Sequence, residues 1–580
     1  MKLSKLNEIV ATRKMIDAFG GYNHNLRIGD GEFYDMTNLS SDNYPVLSPR
    51  QQRGVFAVPT NPQGMVAKDA LCYVDGGDFY ISDYKIELGL SVDDGEPKNM
   101  ISMGAYVIIM PDKKYVNTAD LTDYGDIEAT VTTTSTVTFE LCKIDGVGYT
   151  GAITSATAPA NPENMALWID TSSTPHTLKQ YSSTNAMWVS IPTTYIKISA
   201  AGIGKPFSEN DGVTISGITD EDLTDLNSTM VVWARGDNYI VVTGVLDQTT
   251  TQEAAITVKR QMPNMDFVIE AGNRLWGCRY GTAVNGEVVN EIYASKLGDF
   301  KNWNCFAGIS TDSYAATVGS DGRFTGAIEH LGYPLFFKEN CMHKVYGNYP
   351  ANYQIQTTTC RGVQRGCERS LAIVNEVLYY KSRSSVCAYD GSLPVEISAA
   401  FGEESYSNAV AGALRNKYYI SMSDANGRWH LFVYDTAKGM WHREDDTQAA
   451  LFCNCRGDLY FIDYATNQIK TVKGTGALET KRIKWEAVTG VIGTDSPDKK
   501  YVSRMDVRMY LEFGSRVTFY AEYDSSGNWE HLFTMVGKDL RSFVVPVRTH
   551  RCDHLRLKIV GEGDAKIYSI CKTIEQGSDV

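Results

Sequence analysis

Short apolar segments recur about forty residues apart in the second half of this chain. Their centres are Phe336, Tyr379, Tyr419 and Tyr460, with separations of 43, 40 and 41 residues. A four-stranded propeller blade takes about 40 to 50 residues, and one blade cannot bury both of its faces by itself. The period therefore predicts a β-propeller, in which consecutive blades stack around a ring.

The composition favours an all-β chain. Of 580 residues, 43% are hydrophobic and 21% are charged, and the 34 Tyr and 50 Gly suit strands and tight turns better than long helices. Further strand cores near residues 72, 107 and 276 raise the expected number of blades to six to eight.

Changes of pattern predict five segments. The forty-residue period is lost in a Thr-rich stretch that keeps strand-like alternation, and after residue 475 the alternation becomes strictly period two, with one apolar and one charged face. The predicted segments are an N-terminal arm leading into the ring (1–55), the first blades (56–118), an inserted Thr-rich β domain (119–264), the remaining blades (265–475) and a C-terminal β-sandwich (476–580).

Charge and cysteine content exclude several classes of protein. A net charge of -14 argues against a general phosphate-binding surface, because nucleic-acid binders usually carry a basic stripe. The 12 cysteines have irregular spacings without a Cys-x-x-Cys motif, so we expect reduced thiols and no zinc knuckle. Neither an apolar leader in residues 1–8 nor an eighteen-residue apolar run occurs, so secretion and membrane insertion are not expected.

Several segments resemble one protein family. Residues 331–356, 362–370 and 377–391 are similar to tailed-bacteriophage tail proteins called nozzle or packaged-DNA stabilisation proteins, and residues 566–570 and 577–580 resemble the C-termini of such proteins. The similarity covers residues 1–118 and 265–580, and it consists of aromatic and turn patterns without catalytic motifs.

The resemblance implies a structural component of the virion tail. Such a ring-forming nozzle or hub subunit lines or closes the DNA channel and retains the genome until ejection, without an enzymatic activity or a cofactor. Its expected partners are further copies in a cyclic homo-oligomer, other tail proteins (adaptor, fibre or plug), and viral double-stranded DNA that passes without sequence recognition. It would be made in the host cytoplasm and end in the virion.

Three arginines are candidate contacts to DNA in that channel. Arg361, Arg365 and Arg369 lie close together among turn residues, and guanidinium groups could reach phosphate. Arginines beside a propeller turn are also commonly paired with carboxylates or solvated.

A possible metal site is the run from residue 550 to 554. Strand alternation would place His550, Cys552 and His554 on one face, as three soft ligands. The alternative is an inward-facing Cys552 between two partly exposed histidines, and no metal is the expected outcome.

Propellers also host glycosidases, and glycoside hydrolysis needs two carboxyl groups about 5 to 10 Å apart. Glu444, Asp445 and Asp446 are predicted to form a solvated turn instead. Residues 423–429 partly match the Asp-box turn of sialidases, but a plain hairpin between blade strands explains them.

The alternative to a tail ring is a propeller that binds or cleaves glycans in receptor interaction. In that case the C-terminal sandwich would act as a carbohydrate-binding module, and Trp485, Trp529 and Tyr520 could supply a stacking platform.

Overall fold

The computed structural model describes residues 11–92, 97–283, 286–474, 476–478, 482–494, 499–547 and 550–576. Regular structure in these residues is almost entirely β-strand, with four short 3-10 helices: Glu221–Leu226, Pro350–Asn352, Glu368–Ser370 and Ala399–Phe401. Within the described ranges, no helix is long and apolar enough to cross a membrane. The start of the predicted arm, residues 1–10, and the last four residues, 577–580, lie outside these ranges.

Seven groups of consecutive strands in the described chain have the up-and-down order of propeller blades, within the predicted six to eight. Blades 1 to 4 comprise Pro62–Ala67, Leu71–Asp75, Asp78–Ile81, Tyr84–Glu87; Asn99–Met103, Tyr106–Met110, Lys114–Asn117, Tyr124–Asp126; Phe267–Ala271, Arg274–Thr282, Val288–Ala294, Tyr314–Thr317; and Gly326–His330, Tyr333–Lys338, Cys341–Tyr346, Gln354–Thr359. Blades 5 to 7 comprise Ala372–Val374, Val377–Lys381, Val386–Tyr389, Val395–Glu396; Tyr406–Leu414, Lys417–Asp424, Trp429–Asp435, Met440–Arg443; and Ala449–Cys455, Asp458–Asp463, Gln468–Thr471. The predicted all-β propeller class is confirmed.

Blade 7 is completed by a strand from the N-terminal part of the chain. Gly54–Ala57 pairs with Gln468–Thr471 on one side and with Ala477–Leu478 on the other. The Phe56 ring packs edge-on against Tyr460, with 5.2 Å between centroids. Residues some four hundred positions apart therefore share one blade.

The chain forms two compact units. The first comprises Met1–Pro97, Phe337–Met342 and Thr358–Val580, and the second comprises Lys98–Phe336 and His343–Thr357. Inside the first, apolar side chains such as Tyr419 and Leu459 bury the contact of blades 6 and 7, and Met65 packs with Tyr460 between blades 7 and 1. Inside the second, separate apolar clusters join blades 2 and 3 and blades 3 and 4.

The insert has its own core, in which Phe139, Ile198 and Val258 are fully buried. Its first and last strands, Ala129–Thr132 and Thr257–Arg260, pair with each other. Its other strands are Val137–Cys142, Ile153–Ser155, Leu167–Asp170, Thr177–Ser182, Met187–Ser190, Tyr195–Ser199, Gly212–Ser216, Thr229–Val231, Ala234–Gly236, Tyr239–Thr243 and Thr250–Gln252.

The C-terminal strands continue the sheet of blade 6. Two N-terminal strands lie between the C-terminal strands and blade 6, and the whole sheet has twelve strands. Its order is Ala11–Ile16, Ala565–Gln576, Lys500–Tyr523, Leu555–Glu562, Lys484–Thr489, Glu32–Thr37, Gly21–Tyr22 and then the strands of blade 6 from last to first. The strand Glu530–Val545 pairs with Lys500–Tyr523 outside this order. A small separate ribbon pairs Leu39–Ser40 with Ser48–Pro49. The apolar side of the C-terminal strands is buried, as at Phe519, Leu557 and Ile559, and the charged side faces outward.

Candidate functional site

The outward side of the C-terminal strands carries aromatic and charged groups side by side. Strand alternation buries Leu557 and Ile559, so their neighbours Arg556 and Lys558 point to the opposite side. Tyr520 lies directly across from Lys558 in the neighbouring strand and shares that side. We call this surface, defined by Tyr34, Asp35, Glu486, Tyr520, Trp529, Arg556 and Lys558, the outer face.

Three rings and two cations form one half of the outer face. The Lys558 Nζ lies 4.6 Å from the centre of the Trp529 ring and 5.8 Å from that of Tyr520. The Arg556 guanidinium lies 5.8 Å from the Trp529 ring and 5.9 Å from Tyr34. Cations near aromatic faces are attracted by the ring quadrupole, so each ring is held in place.

A buried carboxylate fixes the hairpin that carries Trp529. Glu522 is 2% exposed, and its Oε2 accepts hydrogen bonds from Arg556 Nη2 at 2.7 Å and Nε at 2.9 Å. Its Oε1 accepts the backbone N–H of Gly527 at 2.8 Å, where φ is 76°. The hairpin is therefore tied to the sheet through charge-assisted hydrogen bonds.

Two carboxyl groups occupy the other half of the outer face. Asp35 lies opposite Val488 in the strand pair, and Glu486 is two residues away on the same side. Arg443 Nη1 donates to Asp35 Oδ1 at 2.7 Å, whereas no side chain or backbone donor of the described residues reaches the Glu486 carboxyl. Burial raises the pKa of Glu486, opposed by Lys558 and reinforced by Asp35.

Two buried nitrogen atoms without a hydrogen-bond partner among the described residues lie close to these carboxyl groups. In the described structure the Nε atom of Arg443 and the Nδ1 atom of His430 are buried without a hydrogen-bond partner. The other ring nitrogen of His430 lies 3.2 Å from Asp424, and burial lowers the histidine pKa. Unfilled buried donors and acceptors of this kind are frequent where a ligand or water completes the site.

The predicted stacking platform is partly right in its geometry. Tyr520 and Trp529 do lie together on the outer face. Trp485, however, is 2% exposed, and its indole N–H donates to the Gly563 carbonyl at 3.1 Å. The prediction for Trp485 is wrong because its strand turns that side chain to the buried side, where Gly561 leaves room for the ring.

The residues predicted as possible metal ligands contact different partners. Cys552 is buried beside the Lys500 carbonyl, at 3.6 Å, and burial raises its thiol pKa to about 11. His550 lies near Glu530, and His554 is hydrogen-bonded to Ser525 and Asp553. The described residues contain no group of three His, Cys, Asp or Glu side chains suited to hold a metal ion.

The contact of Arg361, Arg365 and Arg369 with DNA remains a prediction. Arg361 is exposed and pairs with Glu396 at 2.9 Å. Arg369 donates to the carbonyl of Pro97 at 3.0 Å, and Arg365 is exposed.

The predicted solvated turn at residues 444–446 is wrong for two of its members. Glu444 and Asp445 each lie 2.8 Å from a nitrogen of the buried Arg53, and only Asp446 is exposed. Burial would raise the pKa of Asp445, but Arg53 and Arg50 lower it to about 2. The arginines come from the N-terminal segment, which no local pattern places beside blade 6.

The prediction of a plain hairpin at residues 423–429 is confirmed. Lys417–Asp424 and Trp429–Asp435 are adjacent strands, and Asp424 accepts the backbone N–H groups of Asn426 and Arg428.

Other concave or aromatic surfaces occur among the described residues. A cleft of about 580 Å³ is lined by Arg50, Arg482 and Lys566 together with acidic groups. The insert has a cavity of about 570 Å³ beside His176 and Asp247, which lie 2.7 Å apart. Neither combines aromatic rings with a carboxyl pair as the outer face does.

No protein-family model and no curated protein matches the sequence. Among solved structures, the chain is similar to an exo-β-1,3-galactanase from Phanerochaete chrysosporium (8% identity, TM-score 0.22, covering 53% of this chain and 94% of that chain). A GH43 glycoside hydrolase engineered for endo-xylanase and exo-arabinofuranosidase activity matches at 8% identity and a TM-score of 0.20, covering 53% of this chain and 97% of that one. A further glycoside hydrolase matches at 12% identity and a TM-score of 0.19, covering 52% and 96%.

These matches contradict the expectation that the chain has no enzymatic activity, and we withdraw it. The solved structures named above are all glycoside hydrolases. At TM-scores of 0.19 to 0.22 they assign neither a substrate nor a catalytic residue to this chain.

Sequence reasoning missed Asp35, Arg443, Glu486 and Lys558 as members of a site. The available signal was the charged side of the alternating segment 555–559, which marks a polar sheet surface without saying what stands across from it. Asp35 and Glu486 are 451 positions apart, and only strand pairing brings them together.

Proposed function

We propose that this chain is a β-propeller protein that binds glycans through its outer face. The observation that carries the proposal is the pairing of half-buried Trp529 and Tyr520 with Lys558, which lies close to both rings. A pyranose ring has an apolar C–H face and a rim of hydroxyls, so it suits a flat aromatic surface edged by polar groups.

The polar groups around the rings match the needs of sugar hydroxyls. Lys558 offers ammonium donors and makes no ion pair with any described residue, while Glu486 offers a carboxyl group without a donor partner. His531 lies edge-on to Tyr520, with 5.7 Å between ring centroids, and extends the row of side chains. Hydroxyls bound here would replace water at groups that otherwise lack protein partners.

A glycan array tests this proposal. The full-length protein is applied to defined plant, animal and bacterial oligosaccharides beside the Trp529→Ala variant. We expect selective binding by the unchanged protein and at least tenfold weaker binding by the variant, because truncating a central aromatic contact commonly costs about 2 kcal/mol. No binding to any oligosaccharide, or equal binding by both proteins, would refute the proposal.

We also propose a place for this protein in a bacteriophage tail, as a subunit of a cyclic ring that contacts adaptor, fibre or plug proteins and surrounds the viral DNA. The structural observation that favours assembly is Phe513, which is 93% exposed, on a strand whose paired neighbour carries Val536 and Leu540, which are 64% and 54% exposed. Grouped exposed apolar side chains are typical of surfaces that contact another protein. A glycan-binding face on such a subunit would serve attachment to a host surface.

A further inference from the structure

We propose that a second cleft of the C-terminal sheet binds the sulfate or phosphate groups of an acidic glycan. The cleft has a volume of about 490 Å³, and its side chains come from the neighbouring strands Ala11–Ile16, Ala565–Gln576, Lys500–Tyr523 and Glu530–Val545. We call it the arginine cleft and define it by Arg13, Arg504, Asp506, Arg508, Ser542 and Ser569. None of these residues belongs to the outer face, so the inference concerns a different site from the aromatic one.

Strand pairing collects the charged side chains of the arginine cleft on one side of the sheet. The residues between them are buried, so Arg504, Asp506 and Arg508 all point to the opposite side. Thr573 lies in the middle strand and is paired with Arg13 in one neighbouring strand and with Arg504 in the other. The N-terminal and C-terminal parts of the chain therefore build the cleft together.

Asp506 holds two of the three guanidinium groups. Its carboxylate oxygens accept hydrogen bonds from Arg504 Nε at 3.0 and 3.1 Å, and its Oδ2 lies 3.5 Å from Arg13 Nη2. Arg13 Nε also donates to Cys571 Sγ at 3.0 Å. One carboxylate thus fixes two cations and neutralises the charge of only one.

The third guanidinium group lies in a row of hydroxyl groups. Arg508 is opposite Ser569 in one neighbouring strand and opposite Ser542 in the other, and its Nε donates to Ser542 Oγ at 3.2 Å. The terminal nitrogens of Arg504 and Arg508 make no hydrogen bond to a described residue, and neither does the hydroxyl of Ser569. Two guanidinium groups that are anchored through Nε therefore keep both terminal NH₂ groups for a ligand.

These unpaired donors suit a tetrahedral oxyanion. A guanidinium binds sulfate, phosphate or carboxylate through two parallel N–H···O bonds, and a serine hydroxyl can donate to a further oxygen. Two such groups and a hydroxyl offer more donors than the two oxygens of a carboxylate engage, whereas a sulfate or phosphate ester carries three outer oxygens. The chemistry of the donors therefore favours a sulfate or phosphate group.

The surroundings of the donors favour a glycan as the carrier of that group. Three arginines and one aspartate leave a formal charge of +2 in the cleft, within a chain of net charge -14. An isolated basic cleft in an acidic protein suits single charged substituents better than a nucleic-acid duplex, which needs a continuous basic surface. Met15 also lines the cleft and is 63% exposed, so it offers an apolar contact to the C–H face of a sugar ring.

The test is calorimetric titration of the full chain with two acidic glycans, a heparin hexasaccharide and a phosphorylated mannan fragment. Each is compared with its desulfated or dephosphorylated counterpart. We expect at least one of the two to bind, and its counterpart to bind at least about tenfold more weakly, because the oxyanion supplies the acceptors of the charge-assisted hydrogen bonds.

Arginine variants locate the binding. Arg504→Ala and Arg508→Ala should each weaken the affinity at least about tenfold. The control Arg516→Ala removes the same charge from the same strand outside the cleft, where Arg516 is 59% exposed, as Arg504 is, and pairs with Glu562 at 2.9 Å. We expect the control to bind like the unchanged protein.

The outcomes separate this inference from the proposed aromatic site. Trp529→Ala keeps the arginine cleft and should bind the acidic glycan with full affinity, so loss of that binding in Trp529→Ala would overturn the inference. Failure of both acidic glycans to bind, equal binding of their counterparts, or equal losses in Arg508→Ala and Arg516→Ala would also overturn it. Tighter binding of a short DNA duplex than of either acidic glycan would overturn the assignment to a glycan.

Discussion

Buried carboxyl groups of this protein differ in how closely a cation is paired with them. Glu444 and Asp445 are enclosed with Arg53, so burial is offset by opposite charge and the pair holds the chain together. For Glu486, burial is the largest influence and raises the pKa of its carboxyl; Lys558 and Arg443 oppose the rise and Asp35 adds to it. The same kind of side chain is therefore held in buried ion pairs in one place and lacks an ion-pair partner among the described residues in the other.

The buried His442 makes the fold sensitive to acid. Burial, together with the charge of Lys417, lowers the pKa of this histidine from 6.5 to about 3. The unfolded chain binds the proton below pH 6.5 and the folded chain does not, so stability present above 6.5 is lost as the pH falls towards 3. We expect the free energy of unfolding to decline by up to about 1.4 kcal/mol per pH unit from this group.

Urea unfolding from pH 7 to pH 4 measures this decline in the unchanged protein, in His442→Gln and in the control His531→Gln, whose side chain is exposed. The His442 variant should show a shallower dependence on pH, and the control should follow the unchanged protein. Parallel curves for all three proteins would rule out His442 as the source.

Among the elements, the repeated blade strands could be predicted from sequence and their long-range partners could not. The forty-residue period reports a local unit that recurs, and the strands around Tyr379, Tyr419 and Tyr460 occupy equivalent second positions in blades 5 to 7. The outer face depends on Glu32–Thr37 inserting between the C-terminal strands and blade 6, a pairing with no sequence signal. The prediction that Trp485 is exposed is wrong for a related reason: alternation shows that a strand has two sides but not which of them is buried.

The strand Gly54–Ala57 closes blade 7, and proline at its second position should open that blade. Val55 lies opposite Lys470 on one side and Ala477 on the other, so Val55→Pro removes a backbone donor from the ladder. We expect the free energy of unfolding to fall by about 1 to 3 kcal/mol, because the lost donor leaves a partner carbonyl unpaired.

Chemical denaturation of Val55→Pro beside Val58→Pro checks this expectation, because Val58 lies just beyond the strand and is 70% exposed. Hydrogen exchange should rise first in residues 449–471 of the Val55 variant. Equal stability of the two variants would mean that the strand contributes little to blade 7.

On the scale of the whole molecule, the outer face proposed to bind glycans and the exposed apolar side chain of Phe513 lie in the same compact unit. Phe513 lies on an irregular stretch of the strand Lys500–Tyr523, where the register to Glu530–Val545 shifts. Such irregular strand positions commonly re-aim side chains towards a partner. The proposed glycan binding and the proposed assembly with other copies can therefore be tested with separate variants.

Replacing Phe513 by Asp tests assembly. If copies meet through this side chain, Phe513→Asp should weaken association at least about tenfold, because a charge would be buried in an apolar contact. Light scattering and negative-stain microscopy compare it with Tyr84→Asp, another exposed aromatic position at 67% exposure. Unchanged association of the Phe513 variant, or loss of association in both variants, would exclude a specific role for Phe513.

The most direct measurement of the central claim is calorimetric titration of the best array glycan into three full-length proteins: unchanged, Trp529→Ala and Trp188→Ala. Trp188 belongs to an aromatic cluster in the insert, where its ring centre lies 5.4 Å from that of Trp168. The account predicts affinity at least tenfold weaker for Trp529→Ala and unchanged for Trp188→Ala. Loss of affinity in Trp188→Ala with full affinity in Trp529→Ala would contradict it and move the glycan site to the insert.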